Sequence, residues 1–340
     1  MIPESVTGAL ALPIANEEFA QRLRDQLTTV EDRLRTAVAQ ADALADDASR
    51  HLVTAGGKRL RPLLTLLAAE LGQGVNQRVL DAATVVELTH LATLYHDDVM
   101  DSAPVRRGAP AAHQVWGNSV AILTGDLLFA RASRIVAELG PEAVILQAET
   151  FERLCLGQLR ESIGPAPDED PIEHYLGVLA DKTGSLIATS ARFGALFAGA
   201  PAEHVEALVR FGEKIGVAFQ LADDVIDLSS DAETTGKTPG TDLREQVPTM
   251  PVLLLQAAGR RPNCDEHTRQ TLALLDEDLE NDAALAAAIA SLQQHPALKQ
   301  ARLTAQQWAQ DAISELDVLP TGDVRDALTT FAGALVDRTA

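Results

Sequence analysis

The sequence HDDVMD, residues 96–101, ends a mainly apolar run that begins at Leu88. In a helix, Asp97 and Asp101 lie four residues apart on one face, where two like charges destabilise the helix. Bound cations would offset this repulsion, and Mg²⁺ binds a few carboxylates together with water and phosphate oxygens. Taken alone, such a triplet is more often a solvated acidic helix end. The stretch therefore predicts a helix, and metal binding only where other residues support it.

The same spacing occurs a second time in DDVID, residues 223–227. This copy also follows an apolar helical pattern, Ile215 to Leu221, and also precedes a loop. Two such helices facing each other would place carboxylates on both walls of a cavity, suited to clamp Mg²⁺ ions against a diphosphate. Neither triplet has the alternating ligands and fixed glycine of a calcium loop. The repetition favours a metal site over two solvated helix ends.

Helical periodicity extends outward from both triplets. Aromatic residues make up only 4% of the chain, which leaves few of the bulky side chains that favour strands. No stretch keeps the period of two that a strand requires. The sequence predicts an all-α protein with a single domain over residues 1–340, in which residues 1–16 form a flexible N-terminal segment. Apolar residues recur every three or four positions in six main stretches: 17–53, 63–100, 121–139, 141–159, 176–198 and 202–228.

Acidic residues outnumber basic ones by 49 to 28, which gives a formal net charge of −21. A surface this negative repels the phosphate backbone that dominates affinity for nucleic acids, so no nucleic acid is expected as a partner. An anionic small substrate would be repelled as well, unless local cations reverse the field.

Three features predict a cytoplasmic protein. Cys155 and Cys264 are the only cysteines, too few for a disulfide framework. The N-terminus carries Glu4 where a secretory signal would carry positive charge, and Pro13 interrupts its short apolar stretch. No run approaches the roughly 18 apolar residues of a membrane span, so no transmembrane segment is expected.

The local cations lie in two short segments. GGKRLRP, residues 56–62, places three positive charges directly after a glycine pair, and Arg106-Arg107-Gly108 follows the first acidic triplet. Guanidinium groups match phosphate oxygens bidentately, whereas a lysine acts as a point charge. Each segment alone fits a solvated loop. Beside the two triplets, they favour one diphosphate bound through metal and another bound by Arg and Lys.

In their order along the chain, these segments resemble the trans-isoprenyl diphosphate synthases, or polyprenyl synthetases. The resemblance also covers GDLL (125–128), KTG (182–184), FQLADDVID (219–227) and GKTPGTDL (236–243), and so spans nearly the whole chain. It implies an isoprenoid-synthase-type bundle of long antiparallel helices around a central cavity, and a homodimer. It also implies Mg²⁺-dependent ionisation of an allylic diphosphate and its condensation with isopentenyl diphosphate, giving an all-trans polyprenyl diphosphate.

The resemblance further implies individual roles. The catalytic residues would be Asp97, Asp101, Asp223, Lys182, Thr183 and Gln220. About three Mg²⁺ ions, or alternatively Mn²⁺, would bind Asp97, Asp101 and Asp223, supported by Asp98, Asp224 and Asp227. Isopentenyl diphosphate would be held by Lys58, Arg61, His90 and Arg107. The allylic diphosphate would be held by Arg106, Lys182, Thr183, Gln220 and Lys237.

In this family, product length depends on residues that precede the first triplet. Bulky aromatic side chains at these positions block elongation and limit the enzyme to short products. Here those positions are Ala92 and Thr93, both small, and Thr89 lies a further turn along the same helix face. A product longer than farnesyl diphosphate is expected, with a geranylgeranyl or farnesyl diphosphate synthase as the alternative. The chain departs from the family pattern at Val247, where many members have lysine, and that phosphate contact is not carried over.

Three other functions remain open. A class I terpene cyclase shares one Asp-rich motif but carries an Asn/Ser/Glu-type second metal motif and would not need GGKRLRP. A non-catalytic subunit of a heteromeric prenyl synthase would lack one metal motif, whereas both are intact here. A purely structural helical protein would need neither motif.

Removing one predicted metal ligand tests this assignment. Asp97→Ala and Asp223→Ala should each abolish turnover with an unchanged circular dichroism spectrum, because each removes a ligand and no core side chain. The rate is measured with labelled isopentenyl diphosphate at low millimolar Mg²⁺. Near wild-type rates in either variant would contradict the predicted metal site.

Overall fold

Helices form nearly all of the regular structure in the computed structural model, which describes residues 13–229 and 239–336. The N-terminal helices are α1 (Glu17–Val38), α2 (Ala43–Thr54), α3 (Leu60–Ala69), α4 (Gln77–Met100), α5 (Ala112–Trp116), α6 (Asn118–Leu139), α7 (Pro141–Ile163) and α8 (Pro171–Leu179). After them come α9 (Ser185–Phe197), α10 (Ala202–Ser229), α11 (Thr241–Arg244), α12 (Met250–Gly259), α13 (Glu266–Leu275), α14 (Asp282–Gln294), α15 (Pro296–Glu315) and α16 (Asp323–Val336). The all-α prediction is confirmed.

The chain divides into two compact units. The first comprises Met1–Arg153, Leu186–Gly212 and Glu315–Thr330, and the second comprises Leu154–Ser185, Glu213–Ser314 and Phe331–Ala340. The single domain over residues 1–340 stays a prediction, and most of the predicted flexible segment 1–16 lies outside the described residues. Across the described part of the chain, no helix is both long enough and apolar enough to cross a membrane.

Two stretches that sequence periodicity joined are interrupted. Residues 17–53 form α1 and α2, separated near Asp42, whose side chain accepts a hydrogen bond from the amide of Ala45 and so begins a new helix. Residues 63–100 form α3 and α4, and α4 begins in the same way at Asn76, which accepts from the amide of Val79. The apolar periodicity continues through such breaks because the helices on both sides bury apolar faces. Capping residues therefore mark helix boundaries better than periodicity does.

A π-helical turn, Ala180–Gly184, separates α8 from α9. Such turns insert one extra residue into a helix and frequently occur at functional sites. Gly184 is packed tightly here: a Cβ added at Gly216 would lie 2.5 Å from its Cα. Lys182 and Thr183 of the predicted site therefore lie on a locally widened helix, not on a regular one.

Close packing of α4 against α6 fixes the helix that carries the first triplet. A Cβ at Gly125 of α6 would lie 2.3 Å from Nε2 of His96 and 3.0 Å from the carbonyl oxygen of Ala92, so only glycine fits. On α4, Tyr95 is fully buried, and its hydroxyl donates to the carbonyl of Ala48 in α2 at 2.5 Å. Neighbouring helices thus hold α4 in one rotational setting.

A tight hairpin follows α4. Strands β1 (Val105–Arg106) and β2 (Ala109–Pro110) pair antiparallel and are the only strands among the described residues. Arg107 adopts a left-handed conformation, with φ 54°, in the turn between them. This turn directs Arg106 and Arg107 back towards α4 and α2, where both make the contacts described below.

Gly194 in α9 tests the close packing of the first unit. A Cβ there would lie 2.0 Å from the backbone oxygen of Thr65 in α3, so Gly194→Ala must separate the two helices and should destabilise the protein by about 1–3 kcal/mol. Thermal unfolding measures the effect. Gly259→Ala is the matched control, because its added methyl group approaches closely only the flexible end of Leu272, and Thr268 lies at the ordinary contact distance of 4.0 Å. Equal unfolding temperatures for wild type and Gly194→Ala would contradict this packing argument.

Candidate active site

The end of α4 joins the first acidic triplet to the cationic turn. Asp98 is fully buried, and its Oδ1 accepts a hydrogen bond from Nε of Arg106 at 2.6 Å. Nη2 of the same guanidinium lies 2.6 Å from that oxygen and forms an ion pair with it. Burial raises the pKa of Asp98, and the charge of Arg106 opposes the rise. The other oxygen, Oδ2, is buried and makes no hydrogen bond within the described residues. Asp98 and Arg106, assigned from sequence to metal and to allylic diphosphate, here bind each other.

Asp97 and Asp101 lie at the same helix end with different surroundings. The amide of Asp101 donates to the carbonyl of Asp97 at 2.8 Å, so the last turn of α4 is intact between them. Asp101 is exposed, and Asp97 is half-buried. The predicted common face of these two carboxylates is therefore preserved up to the point where α4 ends.

The charges of four arginines act on His90, which lies about two turns before the triplet. Burial lowers the pKa of His90 well below its usual value, and Arg61, Arg107, Arg59 and Arg106 lower it further, in that order. The imidazole is therefore neutral at physiological pH. Burial also lowers the pKa of Arg61 to about 10, which leaves its guanidinium charged. Nε of Arg61 is buried and makes no hydrogen bond in the described part of the chain.

Arg107 holds the glycine pair against the end of α2. Its Nη1 donates to the carbonyls of Leu52, at 3.0 Å, and Gly56. A Cβ at Gly57 would lie 2.8 Å from the guanidinium carbon of Arg107, so the absence of a side chain there permits the contact. The structure thus brings Arg61, His90 and Arg107 together, as predicted for one binding site, and Lys58 follows Gly57 as an exposed residue of the same loop.

The second triplet is anchored to the segment that follows it. Asp224 is buried, and its Oδ2 accepts from the hydroxyl of Tyr175 at 2.8 Å and from the amide of Met250 at 3.2 Å. Burial raises the pKa of Asp224 to about 8, although the hydroxyl of Tyr175 counteracts it. Asp227 accepts from the amides of Thr241 and Asp242 at 3.2 and 3.3 Å. Both carboxylates therefore fix the chain that returns after the undescribed residues 230–238.

The remaining predicted residues of the second unit lie around the π-helical turn and on α10. Lys182 forms an ion pair with Glu161 of α7. Thr183 is buried, and Gln220 is half-buried on α10 three residues before Asp223. Lys237 lies outside the described residues. That the two acidic triplets face each other across a cavity stays a prediction.

Val247, the departure from the family pattern, lines a cavity of about 350 Å³. The walls of this cavity combine apolar and polar groups. The apolar residues are Leu243, Pro248, Val252, Leu272, Leu275 and Leu279, and the polar ones are Gln246, Gln256, Asp276 and Glu277. The whole side chain of a valine can pack against the apolar part of such walls. A lysine could pack there only with its aliphatic stem. The leucines and the proline around the cavity therefore give an apolar residue at this position a packing role.

Comparison with known proteins places this chemistry in a family. The polyprenyl synthetase family model matches residues 42–292, well over half of the chain. The chain belongs to the polyprenyl synthetase family. Its prediction as a prenyltransferase, a trans-prenyl diphosphate synthase, is confirmed by relatives of that class. A nonaprenyl diphosphate synthase of Mycobacterium tuberculosis is 46% identical, with 98% of each chain aligned.

Two further relatives are informative about metal binding and about subunit composition. The crystal structure of a geranylgeranyl pyrophosphate synthase from Corynebacterium glutamicum, complexed with calcium and isoprenyl diphosphate, superposes with a TM-score of 0.85 at 42% identity. The match covers 96% of this synthetase and 99% of that protein, which confirms the isoprenoid-synthase fold. "Heptaprenyl diphosphate synthase component 2" of Geobacillus stearothermophilus is 36% identical over 91% of this chain and 95% of its own length.

The acidic residues of this synthetase suit a divalent metal. Carboxylate oxygens are the ligands that hard cations such as Mg²⁺ prefer, and Mg²⁺ usually keeps waters and substrate phosphates in its shell. Within residues 13–229 and 239–336, no three acidic, histidine or cysteine side chains already converge as a complete cage. A site in which one or two carboxylates bind the metal and a diphosphate completes its shell fits both the ligand preference of Mg²⁺ and the lack of a complete cage among these residues. The Oδ2 atom of Asp98, which is buried and makes no hydrogen bond within the described residues, is a carboxylate oxygen of this kind.

Three side chains of the site were not predicted from the sequence: Glu31 and Glu87, which balance the cations, and Tyr175, whose phenol binds Asp224. Glu87 is 2% exposed, although it is charged and lies within the apolar pattern of α4. A lone acid inside such a pattern signals a buried partner of opposite charge and could have been recognised. Nothing in the local sequence of Tyr175 indicated its contact with a residue 49 positions away.

The raised pKa of Asp224 predicts how stability depends on pH. Its carboxyl group releases its proton near pH 4 when unfolded but only near pH 8 when folded, so stability is full below pH 4 and falls as the pH rises towards 8. Asp224→Asn, which mimics the neutral acid, should lose less stability over this range. Thermal unfolding in EDTA at pH 5 to 9 measures the difference.

The control is Asp276→Asn, which changes an exposed carboxylate of the same unit. It should follow the wild-type curve. Parallel curves for wild type and Asp224→Asn would show that Asp224 is ionised in the folded protein at neutral pH.

Proposed function

We propose that this synthetase condenses isopentenyl diphosphate with an allylic diphosphate, in the presence of Mg²⁺, to give an all-trans polyprenyl diphosphate longer than farnesyl. One observation carries the proposal: cations converge on a neutral histidine directly beside an acidic helix end. Arg106 connects the two groups, since it binds Asp98 and also lowers the pKa of His90. A diphosphate bound by cations can therefore lie close to one bound through metal.

Lys58, Arg61, His90 and Arg107 are proposed to bind isopentenyl diphosphate. The buried, unbonded Nε of Arg61 offers a donor that the protein itself leaves unused. A neutral His90 donates one ring N–H without adding to the repulsion among the arginines. These residues would fix the diphosphate, so that the terminal double bond of the substrate lies towards the allylic carbon.

Arg106, Lys182, Thr183, Gln220 and Lys237 are proposed to bind the allylic diphosphate. Lys182 now pairs with Glu161, so substrate binding would exchange or share this partner. Arg106 would likewise divide its donors between Asp98 and the phosphate. Thr183 and Gln220 present oxygen dipoles that can face the developing cation.

Asp97, Asp101 and Asp223 are the proposed ligands of about three Mg²⁺ ions. Asp98, Asp224 and Asp227 would support them through their contacts with Arg106, Tyr175 and the amides of Thr241 and Asp242. When bound, the metal supplies positive charge to the diphosphate as it leaves the allylic carbon. The C–O bond breaks, the double bond of isopentenyl diphosphate attacks the cation, and the lost proton passes to the departing diphosphate.

Small residues before the first triplet support a long product. Thr93 is half-buried one turn before Asp97, whereas Ala92 is buried against α6. Thr89 accepts a hydrogen bond from Gln147 of α7 at 3.1 Å, and both residues are buried. No aromatic ring occupies these positions, and the similarity to a nonaprenyl diphosphate synthase agrees with a product beyond farnesyl.

A homodimer is proposed from the apolar surfaces of α6 and α7. Leu123 on α6 is 65% exposed and Ile145 on α7 is 57% exposed, and both lie in the first unit. The two helices adjoin, since the rings of Phe129 and Phe151 stack with centroids 3.9 Å apart. A second copy of the chain would cover these side chains. The similarity to a protein named as a component of a synthase makes a different partner subunit the alternative.

Product analysis tests both activity and chain length. Purified protein with labelled isopentenyl diphosphate, a ten-carbon allylic diphosphate and Mg²⁺ should yield products longer than fifteen carbons. Thr93→Phe should shorten them, because the ring would lie one turn from Asp97 on nearly the same face. Ala92→Phe should also shorten them, but its burial against α6 requires a folding check by circular dichroism. A wild type that stops at fifteen carbons would contradict the proposed length, and absence of turnover without a partner would favour the heteromer.

A further inference from the structure

Arg59 differs from the other cations of the GGKRLRP segment. It is 4% exposed, whereas Lys58 before it is exposed and Arg61 after it is half-buried. Its backbone adopts a left-handed conformation with φ 49°, which is uncommon for a residue other than glycine. Such a conformation persists where surrounding contacts enforce it, and it often occurs at functional sites.

All five guanidinium donors of Arg59 are used within the protein. Nε binds Glu31 of α1, and Nη1 binds Glu87 of α4 at 2.8 Å and lies 3.4 Å from the carbonyl of Gly56. Nη2 donates to Glu31 at 3.3 Å and to the carbonyl of Val53 at 3.2 Å. No donor is left for a phosphate oxygen. The three charges that follow the glycine pair therefore do not act alike.

The anchors of Arg59 lie on three elements around the binding loop. Glu31 is on α1, Glu87 is on α4, and Val53 is in the last turn of α2. Glu87 is also 3.9 Å from Arg107, so one buried carboxylate serves two arginines. Removing Arg59 would leave that carboxylate with less compensation and would release the loop next to Lys58.

We propose that Arg59 is a positioning residue for isopentenyl diphosphate: with Glu31 and Glu87 it holds residues 56–58 in the conformation from which Lys58 and Arg61 bind the substrate. This inference rests on the proposed function. Arg59 touches no substrate, and its effect passes through the loop. Loss of the anchor should therefore weaken isopentenyl diphosphate selectively, and the allylic substrate much less.

The test uses Glu31→Gln and Arg59→Lys in steady-state assays with each substrate varied in turn. Glu31→Gln keeps the shape of the anchor but removes its charge, and should raise the KM for isopentenyl diphosphate about five- to tenfold. The KM for the allylic diphosphate and kcat should stay within about twofold. Arg59→Lys should have a larger effect, because a point charge cannot reach Glu31, Glu87 and Val53 together.

Asp81→Asn is the matched control. Asp81 pairs with Arg33 and so joins α1 to α4, the same two helices that Arg59 connects, but it contacts no residue of the loop. Its Michaelis constants should equal those of the wild type. Circular dichroism identifies any variant that fails to fold, and Glu31→Gln, at the more exposed end of the network, then decides the outcome.

A double-mutant cycle with Lys58→Ala separates positioning from general destabilisation. If Arg59 acts through the loop, Glu31→Gln should add little once the Lys58 side chain is gone, so the two effects should not be additive. Additive effects, equal rises in both Michaelis constants, an unchanged KM in Glu31→Gln, or the same change in Asp81→Asn would each overturn the inference. A wild type without condensation activity would instead contradict the proposed function.

Discussion

The first unit depends on the compensation of buried charge around Glu87. A carboxylate almost wholly removed from water is strongly unfavourable unless opposite charges and hydrogen bonds replace its hydration. Arg59 supplies the direct ion pair, and Arg107 lies within 4 Å. These arginines come from segments before and after α4. The need of Glu87 for opposite charge therefore fixes two loops. The same arrangement concentrates positive charge in a protein whose net charge is −21.

The second unit solves the same problem with neutral groups. Asp224 is buried beside a phenol and an amide, no cation among the described residues binds it directly, and burial raises its pKa. Asp98, its counterpart in the first triplet, is bound by a guanidinium. The two triplets share a sequence pattern but not an electrostatic environment. The middle carboxylate in each serves first to fix the polypeptide around the outer ones.

Much of the fold and the two acidic helix ends of the candidate site could be predicted from sequence, because both follow from short-range patterns. Periodicity identified the long helices, and the two triplets identified the acidic helix ends. The helix boundary at Asp42 was missed because apolar periodicity continues through it. The role of Arg59, which differs from that of Lys58 and Arg61, was missed because the sequence pattern locates charged residues but does not show which residues they bind. Tyr175 could not have been found, since its contact with Asp224 depends on tertiary packing alone.

The π-helical turn at Ala180–Gly184 constrains how the length of this chain can vary. Deleting one residue there would remove the extra residue and restore a regular α-helix, so α9 would keep its orientation. Within the regular part of α9, the same deletion would rotate everything beyond it by about 100° and shift it by about 1.5 Å along the axis. The close contact of Gly194 with Thr65 leaves no space there for a changed register. A single-residue deletion should therefore be tolerated in surface loops such as residues 164–170, and better at this turn than within α9, although it would remove the widened turn that carries Lys182 and Thr183.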